Sequence, residues 1–132
     1  MMAKKTPSPA KLRELVMQAL YQKEISGSSN TDLIKQFKQT NRDFNIEKFE
    51  ASLKEIKKGI LEINSTIEKH TDVDIEQISK IELAILRQAI YELKLNKLDS
   101  PIIISEAIRL SKRFGQDASH KFINALLDKA AK

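Results

Sequence analysis

The sequence predicts an all-α fold, a single-domain bundle of about six helices, and three observations predict it. Apolar residues recur at intervals of three and four through six separate stretches, the period of a helix with one buried face. Helix-start signals stand at the head of several of them: Ser8-Pro9, Ser100-Pro101, and Ser79 with Glu82 three residues on. Glycine and proline are scarce, three of each in 132 residues of 41% hydrophobic content, so few breakers interrupt the stretches.

Taken in order, residues 1–8 are polar and read as a mobile N-terminal arm. Ser8 caps the first helix and Pro9 opens it with a pre-set φ. Its apolar stripe is Leu12, Leu15, Val16, Ala19 and Leu20, and it ends near Ile25, before a loop of small polar residues. Thr31 or Asp32 is expected to cap a short helix holding Leu33, Ile34 and Phe37. Asn45 then caps a long helix over 46–69. Phe49, Leu53, Ile56, Ile60, Ile63 and Ile67 give it a heptad-like seam of the kind that packs inside a bundle. Gly59 within it is read as tolerated, at about 1 kcal/mol against Ala. Asp74 is expected to cap a single turn over 75–78. Ser79 and Glu82 form a capping box, in which serine and carboxylate satisfy orphan backbone donors. The helix they open runs to about Leu95, with Ile81, Ile85, Leu86, Ala89, Ile90 and Leu93 inward. Arg87, unusual in so apolar a helix, is either half of a structural ion pair or a functional contact.

Ser100 is expected to cap the next helix, with Pro101 first in it and Ile103, Ala107, Leu110 and Phe114 along its stripe. Lys112 and Arg113 fall in the last turn, where cations suit the carbonyl end, and Gly115 stops the helix. A turn over 116–118 leads to a final helix whose face is Phe122, Ile123, Leu126, Leu127 and Ala130. The two make an αα-hairpin.

Net charge is +5 and is gathered at the ends. Residues 1–24 hold five basic and two acidic side chains, and residues 100–132 hold six and three. Residues 71–99 hold four and six. If the ends meet in space they make a basic face suited to a polyanion; otherwise they are solvated lysines. There is no cysteine, so no disulfide or thiolate chemistry, which is compatible with a reducing compartment. No apolar run approaches the roughly 18 residues of a membrane span. The N-terminus lacks the apolar run of a secretory signal. A soluble, cytoplasmic protein without membrane association is expected. His70 and His120 lack metal-ligand spacing, and the three glycines lie too far apart for a phosphate loop. No enzyme activity, cofactor or metal is therefore expected.

Particular residues say more than periodicity does. The C-terminal string is carried by Pro101, Ile104, Glu106, Ala107, Ile108, Leu110, Lys112, Phe114, Gly115, Ser119, His120, Lys121, Phe122, Asn124, Leu127, Asp128 and Lys129. A second segment is Arg13, Glu14, Gln18, Ala19, Leu20, Tyr21 and Gln22. A third is Ile81, Glu82, Ala84, Ile85, Leu86, Arg87, Ala89, Ile90, Tyr91, Glu92 and Leu93. Together they resemble the NusB family of bacterial transcription antitermination factors over most of the chain, and most weakly from Ser26 to about Asn45.

The resemblance implies a three-helix N-terminal bundle and a C-terminal bundle sharing one core, within a single domain over 1–132. It implies a non-catalytic protein that binds boxA-type single-stranded RNA of ribosomal RNA leaders together with NusE, a small-ribosomal-subunit protein. The complex would help RNA polymerase elongate past terminators. The positions matching RNA-proximal family residues are Lys11, Arg13, Tyr21, Phe114, Lys121 and Phe122, with Lys4 and Lys5 on the arm as supplements. Tyr21 and Glu82 match positions tied to the NusE partnership. The family's arginine-rich start of the first helix is thinned here to Lys11 and Arg13, with Pro9, Ala10 and Leu12 between and around them. Ala118 stands where some members carry an acid before Ser-His-Lys-Phe, with Asp117 one place earlier. Two alternatives follow: an interaction module with weak or lost RNA binding, or an accessory domain of an RNA-modifying enzyme. Monomer and homodimer are both compatible with the sequence. On residue type alone Tyr21, Phe114 and Phe122 are either stacking faces or core aromatics, and Lys121 is either a phosphate contact or a solvated lysine.

Overall fold

The computed structural model describes residues 8–132. Lys4, Lys5 and the rest of the arm before Ser8 lie outside the described residues. Seven α-helices and one 3-10 turn make up the described chain: α1 (Pro9–Ser26), α2 (Asn30–Thr40), α3 (Ile46–Lys58), α4 (Ile60–Lys69), the turn Ile75–Gln77, α5 (Lys80–Leu95), α6 (Ser100–Phe114) and α7 (Ser119–Ala130). No strand occurs among the described residues.

The all-α expectation holds, with seven helices in place of about six. The extra one comes from Gly59, which sits at φ −98° and ψ 14° between α3 and α4 and divides the expected long helix. Glycine gains least from staying helical, so a break costs least there. The apolar seam survives the break. Phe49, Leu53, Ile56, Ile63 and Ile67 are buried, and Ile60 is half-buried.

Capping follows the local chemistry with three shifts. Ser8 accepts from Lys11 N–H at 3.4 Å, Asn45 Oδ1 from Lys48 N–H at 3.1 Å, and Ser79 Oγ from Glu82 N–H at 3.2 Å. For α2 the cap is Ser29, which accepts from Asp32 N–H at 3.1 Å, rather than Thr31 or Asp32. For α6 the cap position is Asp99, so Ser100 is already helical. Asp74 precedes the 3-10 turn without a side-chain cap bond, its carbonyl accepting from Gln77 N–H at 2.8 Å.

The chain divides into two compact units, the first reaching Glu55 and the second running from Ile56 to Lys132. In the first, α1, α2 and most of α3 form the expected three-helix group. Phe37 and Phe49 stack at 5.3 Å between ring centroids, and Phe44 meets Phe49 edge-on at 5.4 Å. Asn30 ties the helices together: it accepts from Lys23 Nζ at 2.7 Å and donates to the Leu53 carbonyl at 3.2 Å. The second unit holds four helices, α4 to α7, and the 3-10 turn, α4 being separated from α3 by the break at Gly59. There α5 packs against α4, α6 and α7, and α6 against α7. Leu83, Ala84, Ile85, Leu86, Ala89 and Ile90 of α5 are all buried.

Candidate nucleic-acid interface

The α6–α7 turn is built by close approach. Gly115 N–H donates to the Ser111 carbonyl at 2.8 Å, and Ser119 Oγ accepts from Gln116 N–H at 3.1 Å. A Cβ on Gly115 would lie 2.7 Å from the Ser111 carbonyl oxygen and 3.0 Å from Ser119 Oγ. Gly115 has φ −90°, so it is the space that calls for glycine here, not the dihedral. The tight turn places Phe114 at the end of α6 and His120, Lys121 and Phe122 at the start of α7.

Phe114 and Phe122 are both half-buried, and Lys121 is exposed. Each phenylalanine keeps part of its surface exposed, which suits stacking without unfolding the core. The Arg113 guanidinium carbon stands 5.0 Å from the Phe114 ring centroid, a cation–π distance. In the sequence Lys112 and Arg113 read only as helix-end cations, and their place directly before an aromatic at a helix exit is the signal for a wider basic–aromatic cluster. Lys112, Arg113 and Lys121 are exposed around the turn.

On the first unit, Lys11 is exposed and Tyr21 is half-buried. Arg13 departs from the expectation of a surface phosphate contact: it is 8% exposed, and its neighbour Glu14 is 6% exposed. From Arg13 to Leu20 every residue of α1 but Gln18 is buried, well beyond a single stripe, and Met17 joins the core. The structure thus groups Phe114, Lys121 and Phe122 at one turn of the second unit. Lys11, Arg13 and Tyr21 lie on α1 of the first.

Glu82 is half-buried, and its Oε1 accepts the Ser79 hydroxyl proton at 2.7 Å. The same hydroxyl accepts from Glu82 N–H, so the serine half of the expected capping box forms, while the carboxylate meets the serine hydroxyl and not its backbone N–H. Arg87 is half-buried and its Nε donates to Asn64 Oδ1 at 3.0 Å, tying α5 to α4. Lys94 reaches Glu62 of α4 at 2.9 Å on the surface of the same pair. Among the described residues no cluster of His, Cys, Asp or Glu is placed to hold a metal ion, and no helix is long and apolar enough to cross a membrane.

A family model described as the NusB family matches residues 10–132. The transcription antitermination protein NusB of Colwellia psychrerythraea is 40% identical over 131 residues, covering 96% of this chain and 94% of that protein. The solved structure of T. maritima NusB has a TM-score of 0.84 at 27% identity, covering 95% of this chain and 92% of that one. A crystal structure of antitermination factors NusB and NusE in complex with dsRNA has a TM-score of 0.82 at 24% identity, covering 92% of this chain and 94% of that one, a likeness of fold.

Proposed function

The chain belongs to the NusB family of transcription antitermination proteins, and from that membership we propose that it binds boxA-type single-stranded RNA of ribosomal RNA leaders together with NusE. The complex would act on RNA polymerase to carry elongation past terminators. The observation that carries the reading is the α6–α7 turn, where two half-buried phenylalanines stand among exposed cations. Lys121, Arg113 and Lys11 meet phosphates and supply a salt-sensitive affinity. Unstacked bases meet the exposed parts of Phe114 and Phe122 and, on α1, Tyr21, and supply selectivity. Lys4 and Lys5 add phosphate contacts from the arm. Tyr21 and Glu82 serve the NusE surface. A protein–RNA partnership of this kind fits a relative's fold seen with NusE and dsRNA.

A second reading keeps NusE and loses most of the RNA affinity. The burial of Arg13 favours it, since Lys11 is then the exposed cation in the opening turns of α1. Fluorescence anisotropy separates the two. A labelled boxA-type RNA and a scrambled control are titrated with the protein, with and without NusE, at two salt concentrations. Selective binding strengthened by NusE is the expected result. Equal weak binding to both RNAs, with NusE still bound, selects the second reading.

A further inference from the structure

Beyond the turn itself, the second unit carries a groove of about 330 Å³ between the end of α4, the loop after it, and α7. Lys69, His70, Thr71 and Asp72 line one side, and Phe122 and Lys129 the other. Its size is at the small end of the range for ligand sites, room for one nucleotide unit and not for a duplex. Lys69 and Lys129 are exposed and line the groove together with the half-buried Phe122. Thr71 Oγ1 accepts from Val73 N–H at 3.1 Å, and its hydroxyl still carries a hydrogen to donate. Asp72 brings a carboxylate into a place otherwise suited to an anion. A carboxylate repels phosphate but accepts well from an exocyclic amine, as acidic side chains do from cytosine N4.

We infer that this groove takes a single splayed-out nucleotide of a single-stranded RNA, and that it prefers a base bearing an exocyclic amine, cytosine or adenine, over uracil. The base stacks on Phe122 with its amine at Asp72. The flanking phosphates lie at Lys69, in the last turn of α4, and Lys129, in the last turn of α7, each cation also suiting the carbonyl end of its own helix. Thr71 and His70 supply hydrogen bonds to the sugar or the base edge. The inference rests on the RNA-binding reading and deepens it, by adding Lys69, His70, Asp72 and Lys129 to the path of the strand and by naming the base class.

The test uses the full chain with NusE and a fluorescein-labelled single-stranded boxA-type RNA, in a series where one cytosine or adenine at a time becomes uracil. One position should lose affinity several-fold on that exchange. Phe122→Ala should weaken binding about tenfold, and Phe122→Leu, which keeps apolar volume and guards against a folding defect, should weaken it nearly as much. Lys69→Ala and Lys129→Ala should each flatten the salt dependence. Asp72→Ala should abolish the amine preference at that one position while overall affinity holds or rises, a pattern that a merely structural Asp72 would not produce. If RNA binds and Lys11→Ala, Lys121→Ala or the Phe122 variants weaken it, yet the Lys69, Asp72 and Lys129 variants match the parent, the groove is overturned and the wider reading stands. If no RNA binds with or without NusE, both fall.

Discussion

Two glycines show how differently a single residue can be required. Gly27 ends α1 at φ +72° with no atom within 4 Å of where its Cβ would stand. Gly115 has an ordinary φ but no room. Gly27→Ala should therefore cost about 1–2 kcal/mol through left-handed strain, and Gly27→Asn should recover most of it, because Asn tolerates that region. Gly115→Ala should cost about 1–3 kcal/mol by overpacking, and Gly115→Asn should be worse still. Thermal denaturation of the four variants checks this; a rescue by Asn at position 115 would refute the steric account. Arg13 teaches the same lesson about context. Its identity and position invite a phosphate contact, but exposure is a property of what packs around a residue, and no local pattern encodes it. At 8% exposure it is placed as a buried group.

At the scale of the element, what the sequence reveals is what short-range chemistry decides. Ser8-Pro9, Asn45 and the Ser79–Glu82 box mark helix starts because a cap and the amide it satisfies lie within three residues of each other. Thr31 and Asp32 mislead because Ser29, just upstream, offers the same chemistry and α2 begins earlier. The break at Gly59 escapes a seam-based reading because the apolar spacing runs straight through it. Phe114, Lys121 and Phe122 are legible as a cluster because one turn joins them. The groove is not, because its two sides come from segments some fifty residues apart in the chain, Lys69–Asp72 and Phe122–Lys129. Ser79→Ala should lower stability by about 1 kcal/mol, with NusE affinity unchanged. Glu82→Gln keeps a hydrogen-bonding side chain at the cap and should leave the melting temperature close to that of the parent while weakening NusE. Calorimetry paired with a pull-down titration reads both, and a loss of NusE binding in Ser79→Ala would mean that Glu82 acts only through the cap.

For the molecule as a whole, the modest net charge of +5 sets the expectation for RNA affinity. A few phosphate contacts give a shallow dependence on salt, so Lys11→Ala and Lys121→Ala should each lower the slope of log K against log salt by about 0.7. Anisotropy over a salt series measures it, and slopes unchanged in both variants would remove these lysines from the strand's path. The burial of α5 bears on time as well as on stability. Its neighbours α4, α6 and α7 cover it, and Arg87 and Lys94 brace it to α4. Amide protons along 83–90 can then trade with deuterated water only when the second unit opens as a whole, whereas those of α2, with only Leu33 and Phe37 buried, need far smaller openings. Hydrogen exchange should place α5 among the slowest segments of the chain and α2 among the fastest helices, which makes α5 the internal clock against which any loosening by a partner or an RNA strand is timed.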